Sequence, residues 1–211
     1  GIRDLVRSRG LGDVYKRQLY IDPDLQPGLY LQTEAYLMLG EQSTAPERQS
    51  QAYGLAVRSA QSLLQYYEGD PLGYLYLAKA RIGEGNVDLA ETSLTRVAAV
   101  EDSLPDSAAP VIQEVFRTRG EMYYNQGRFE EALSDLEHYV SLADEFDAPA
   151  VEMIVESARK LEEGATVRQW VAVLVDNDPN NPEYELMQAE VWVEMCAIYD
   201  NVTCELSLIH I

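Results

Sequence analysis

The residues able to do chemistry are few. His138 is the only histidine before position 210 of the 211-residue chain, and Ser134 and Asp135 lie one turn before it. A nucleophilic triad needs members that converge from different elements, which fixes the tautomer of the base and the aim of the nucleophile. Three residues on the polar side of one helix do not converge, so His138 reads as an exposed or partly packed side chain. Asp176-Asn177-Asp178-Pro179-Asn180 alternates oxygen ligands as a calcium loop does. Asn181 stands where that loop needs glycine, however, and Met187 where the bidentate glutamate belongs. Gly83 and Gly85 have the spacing of a dinucleotide loop, but Asp88 replaces the third glycine and no strand precedes them, so the pair reads as a helix-ending turn. The doublets Glu130-Glu131 and Glu162-Glu163 have the residue type for acid–base work. On helix ends they read as solvated carboxylates or, at a helix start, as partners of the helix dipole. Cys196 and Cys204 stand eight apart. On a helix that is about 12 Å along the axis, beyond disulfide reach unless the helix ends between them. A zinc site would need two further ligands. The chain therefore reads as non-enzymatic, with no cofactor and no metal.

Those residues ride on a periodic frame, clearest from Phe116 to Leu142. Gly120 lies between Phe116 and Tyr123, giving one helix face a large, small, large stripe on which a second helix can approach closely. Gly127 ends that helix with a residue suited to a left-handed turn, and Glu130 and Glu131 follow in the first turn of the next. Apolar residues then recur at Ala132, Leu133, Leu136, Tyr139, Val140 and Ala143, one buried helical face.

This unit resembles the tetratricopeptide repeat (TPR), with Phe116, Gly120, Tyr123, Ala132 and Leu136 in the pattern positions. Arg119 stands where the family usually has leucine, and Tyr139 where it often has a small residue. Pro71 to Val100 matches the same template through Tyr74, Leu77, Ala78, Ala90, Leu94 and Val97, with Arg81 in place of an aromatic and its stem available to cover apolar surface. Ala35 to Glu41 aligns with Ala78 to Glu84, and Ala56 lies 34 residues before Ala90, the period of this repeat class. The small residues of the first helices, Ala35 and Ala78, are 43 apart, so nine extra residues fall within the first repeat. They are expected in a longer connection, QSTAPERQS, with Pro46 at a helix start after a Thr or Ser cap. A second insertion, Glu101 to Pro110, is expected as an exposed loop. A fourth unit is read from Val151, Ile154, Val155 and Ala158, a turn at Glu163-Gly164, and Val167, Trp170, Val171 and Leu174. Asp176 to Pro182 makes the next turn, and Tyr184, Ala189 and Trp192 begin a fifth helix pair, with Ala189 equivalent to Val155.

The expected fold is all-α: a TPR-type α-solenoid of antiparallel helix pairs, about four hairpins plus a terminal helix, stacked because no single unit can bury its own apolar face. The resemblance implies a right-handed superhelix lined inside by the first helices of each pair. It also implies a function: binding a protein or peptide along that inner groove, without catalysis.

The chain ends fall outside this frame. Residues 1–18 carry five Lys or Arg against two Asp, unlike anything after them, and resemble translated sequencing-adapter read-through, as does the tail at 206–211. Both are expected to be non-native, leaving 19–205 as a solenoid fragment. On that reading the alternative function is a regulatory or sensory arm of a larger protein with a catalytic or DNA-binding output domain.

The chain carries a formal charge of −20. Such a surface repels phosphate backbones and anionic lipid, which argues against nucleic-acid and membrane-surface partners. The compartment defaults to the cytoplasm, with a bacterial extracytoplasmic scaffold as the alternative. Fourteen tyrosines are the one compositional surplus. Tyr74, Tyr123 and Tyr139 lie on core stripes. The expected partner surface is Tyr36, Tyr76 and Tyr124 on the first-helix side, with Lys79, Arg117 and Glu121. Glu121 amid these residues argues against capture of a C-terminal carboxylate.

Overall fold

The computed structural model describes residues 26–198, with side chains as far as Val193. The two adapter-like ends and Cys204 lie outside the described residues, as does the Cys196 side chain. The described chain is a succession of nine α-helices without strands: α1 Gln26–Gln42, α2 Pro46–Tyr66, α3 Pro71–Gly83, α4 Val87–Ala98, α5 Ala109–Asn125, α6 Phe129–Leu142, α7 Ala148–Lys160, α8 Gly164–Asn177 and α9 Pro182–Ile198. These are the four hairpins and terminal helix expected from the periodicity. The chain forms two compact units, divided between Arg119 and Gly120 inside α5. No described helix is long and apolar enough to cross a membrane.

In the first unit α1 packs on α2, α2 on α3 and α3 on α4, while α1 also reaches α3. Ala56 and Ala90 are fully buried, as their 34-residue spacing requires. Ala35 is exposed although Ala78 is buried. Among the described residues α3 packs on α1, α2 and α4 and α1 on α2 and α3, so the two positions do not share an environment. Thr33 fills the close approach instead, fully buried, its hydroxyl donating to Ser59 Oγ at 2.8 Å across to α2. The nine-residue insertion is also not a loop. The connection is only Ser43-Thr44-Ala45, and the extra length goes into helices of 17 and 21 residues, against 13 and 12 in the next hairpin. Pro46 does open α2, but its N-cap is Ala45, with no side-chain cap. Nothing in Glu47 to Gln51 breaks a helix, and Pro46 at the start supplies a preset φ, so the polar run winds on. The second insertion is largely exposed, as expected, and is organised as two 3-10 turns, Glu101–Ser103 and Asp106–Ala108. Tyr74 is half-buried beneath Arg96, whose guanidinium lies 5.0 Å from its ring centre.

The second unit runs from Gly120 through α9, with α6 on α7, α7 on α8 and α8 on α9. Gly120 meets Leu136 of α6 so closely that an added Cβ would lie 2.7 Å from its Cγ and 3.3 Å from its backbone nitrogen. Tyr123 and Tyr139 are buried as expected. Asp135, expected on the polar side of α6, is buried. Its position three after Ala132 and four before Tyr139 sets it on the apolar arc. The fifth-helix register also shifts: α9 buries Tyr184 and Val191, and Ala189 is exposed, unlike Val155.

Three hairpins turn at equivalent places. Gly85, Gly127 and Glu162 each precede the N-cap of the second helix, with φ of 79°, 74° and 58°. The fourth-unit turn is thus Leu161-Glu162-Glu163, and Gly164, expected in the turn, is the first helical residue. An L side chain in the left-handed region costs about 1–2 kcal/mol relative to a relaxed backbone. Glu162→Gly should therefore raise stability by about 0.5–1 kcal/mol, the gain being trimmed by glycine's freedom in the unfolded chain. Urea unfolding of the two proteins checks it.

Candidate functional site

Tyrosine phenols do much of the joining between helices. The chain holds 36 Asp and Glu against 16 Lys and Arg, so most carboxylates cannot find a cation. A phenol donates to a carboxylate without adding charge. Asp70 caps α3, accepting from Gly73 N at 2.6 Å, and takes the Tyr30 hydroxyl of α1 at 2.8 Å. Asp147 repeats the device on α7, accepting from Ala150 N at 3.3 Å and from Tyr139 Oη at 2.8 Å. Tyr184 of α9 donates to Glu152 of α7 at 2.7 Å, and the Trp170 indole to Glu137 at 2.9 Å. Burial, then the hydrogen bond to Asp70, raises the Tyr30 phenol well above its ordinary range. The bond to Glu152, then burial, pushes Tyr184 up to about 12.

A phenol with a raised folded pKa stabilises fully below its unfolded pKa of 10, and that contribution is lost as pH rises through about 12. Tyr184→Phe should cost about 1 kcal/mol at pH 9 and progressively less as pH approaches 12, because the wild type alone gives up this bond. Urea unfolding across that range measures the convergence.

In the first unit the structure brings Tyr36 and Tyr76 together. Both are half-buried and pack on the cluster of Leu37, Tyr53, Ala56, Val57 and Ala80, and Tyr76 meets Tyr30 edge to face at 6.3 Å. Burial raises the Tyr76 phenol. Lys79 is a turn further along α3, where its ammonium is held by Glu114 of α5 at 2.6 Å. That ion pair joins first helices of successive hairpins, with each partner about a third exposed. Arg117 is half-buried on α5 and already engaged.

In the second unit Glu121 and Tyr124 share α5, both half-buried, and Glu121 is likewise engaged. Tyr124 meets Phe129 edge to face at 6.1 Å and lines a cleft of about 420 Å³. Its other walls are Pro149, Glu152, Met153, Val155, Glu156 and Arg159 of α7 and Glu183 and Met187 of α9. The α7 residues 149, 152, 153, 156 and 159 follow helical spacing and form the face beside the core stripe Val151, Ile154 and Ala158. Sequence reasoning found that core stripe and missed its neighbour. The available signal was the second stripe of mixed methionine and charge, legible only once α7 is known to have helices on both sides. Among the described residues no group of His, Cys, Asp and Glu is placed to hold a metal.

No family model matches the chain, and no curated protein is similar to it. Solved structures are. The fold is that of a TPR solenoid, all-α and built of successive antiparallel helix pairs. The MamA protein superposes with a TM-score of 0.59 at 18% identity, over 95% of this chain and 90% of that one. A thermophilic TPR protein of Thermus thermophilus gives 0.54 at 17% identity, over 91% and 94%. The Naa15/Naa10 complex bound to HypK-THB gives 0.52 at 18%, over 94% of this chain and 35% of that one.

Proposed function

We propose that the chain is a non-catalytic protein-recognition scaffold whose first helices bind a protein or peptide partner. The cleft of the second unit carries this reading, because its walls come from α5, α7 and α9, the first helices of three successive repeats, and join apolar surface to a few polar groups. One structurally similar protein is itself seen in a complex, Naa15/Naa10 with HypK-THB, which supports a protein partner over a small molecule. Recognition rests on shape and buried anchors, with Tyr124 as the aromatic anchor in the second unit and Tyr36 and Tyr76 on the first-helix side of the first unit. No cofactor takes part. The test is site-specific photo-crosslinking from position 124, compared with Ala172, an exposed residue of the second helix α8. A partner crosslinked from 124 and not from 172 supports the groove. Crosslinking from 172 alone overturns it.

A further inference from the structure

We infer that the α5–α7–α9 cleft selects a peptide segment presenting an arginine beside an apolar residue; this rests on the groove reading above. The argument is the charge and surface of the walls. Three carboxylates, Glu152, Glu156 and Glu183, face one guanidinium, Arg159. The cleft's own cation and its neighbour in sequence are already committed: Arg159 to Glu190 at 3.2 Å, and Lys160 to Glu156 at 3.1 Å. Glu152 holds only a neutral donor, the Tyr184 hydroxyl, which leaves its charge in place. Among the described residues neither Glu152 nor Glu183 has a cation within ion-pair distance. The cleft therefore has two uncompensated negative charges, in a wall whose other surface is Met153, Met187, Tyr124, Val155 and Pro149.

That pairing is specific about its ligand. An anionic or purely polar segment would meet like charge or leave the thioethers wet. A purely apolar one would desolvate Glu152 without replacing its water, at a cost in binding. Arginine satisfies both halves. Its three-carbon stem covers apolar surface, its guanidinium is weakly hydrated, and its fork matches a carboxylate. Methionine walls adapt to the residue beside it. The cleft volume, about 420 Å³, lies within the roughly 300–1,000 Å³ of ordinary ligand pockets and so takes one or two side chains.

The probes are three capped synthetic peptides with the same leucine positions and arginine, glutamine or glutamate between them, titrated calorimetrically into the full chain. The arginine peptide should bind about tenfold or more tightly than the glutamine peptide at low salt, and its advantage should shrink as salt rises to about 0.5 M. Glu152→Gln combined with Glu183→Gln should bring the arginine peptide down to the affinity of the glutamine peptide. Glutamine at 152 keeps an acceptor for Tyr184, and a thermal melt confirms that the fold is intact. Asp144→Asn with Glu145→Gln removes the same charge from an exposed connection and should leave affinity unchanged. An equal loss in that control overturns the cleft as the site of selection. Equal binding of the arginine and glutamine peptides overturns the arginine preference and leaves the groove reading standing. Binding of none of the three at millimolar peptide overturns both readings for this cleft.

Discussion

Gly120→Leu is expected to destabilise the chain by about 3 kcal/mol, at the upper end of what overpacking costs in a close-packed core. The argument is geometric. Even the first added carbon would lie 2.7 Å from Leu136 Cγ and 2.9 Å from its Cδ2, inside any real carbon contact. Leu136 cannot retreat, because it is fully buried among the other apolar residues of α6. Its backbone nitrogen, 3.3 Å from the same point, belongs to the helix itself. Relief therefore needs α5 and α6 to separate, which opens the packing at the Gly120–Leu136 crossing. Gly120→Ala should show a smaller loss, about 1–2 kcal/mol, since only one carbon must be accommodated. Chemical denaturation of the series provides the measure, and a Leu variant unfolding at the wild-type midpoint would remove the helix crossing from the account.

That prediction was available from the sequence alone, and the reason separates what was legible from what was not. A helix crossing imposes a small residue at one position and large ones a turn away, so Phe116, Gly120 and Tyr123 announce it without any knowledge of the partner helix. The same holds for Ala56 and Ala90, which share a burial and a 34-residue spacing. Gly85 and Gly127 were readable as turns because no other residue takes a positive φ so freely. Where the same turn uses Glu162, the signal is gone. The nearby Gly164 then attracts the turn by one position too many, although it opens a helix. Length was visible and its destination was not: nine extra residues in the first repeat could lie in a loop or in longer helices, and tertiary packing decides which. Composition likewise showed a surplus of tyrosine without showing its use. Tyr30, Tyr139 and Tyr184 each bond a carboxylate distant in sequence or across a turn, by 40, 8 and 32 residues, and no local pattern encodes such pairs. The cleft was hidden for a related reason. Its residues belong to three helices, and only Tyr124 stood out on its own.

Gly83 shows how much a single misassigned glycine can hold. In sequence it reads as part of a helix-ending turn with Gly85, yet only Gly85 has the left-handed backbone, and Gly83 is the last residue of α3. Its function is space. The Tyr53 ring of α2 is wedged between Gly40 of α1 and Gly83 of α3: a Cβ at Gly40 would lie 2.6 Å from Tyr53 Cε1, and one at Gly83 would fall on the same ring. The ring is buried in the cluster that joins α1, α2 and α3, and burial, then the charge of Glu41, raises its phenol. Since both faces are occupied, a side chain at 83 cannot push the ring aside without pushing it into α1. Gly83→Val is therefore expected to cost about 3 kcal/mol, as overpacking and the β-branched side chain's loss of rotamer freedom act together. Gly40→Ala should cost about 1–2 kcal/mol through the same ring. The decisive measurement is a double-mutant cycle with Tyr53→Ala. That change alone is strongly destabilising, by about 3–5 kcal/mol if tyrosine behaves as other large core aromatics do. With the ring gone, most of the cost of valine at 83 should disappear, giving a coupling of about 1–3 kcal/mol. Additive losses would mean that the glycine is required for the backbone at the end of α3 and not for the ring, and the account of how α1, α2 and α3 are spaced would have to change.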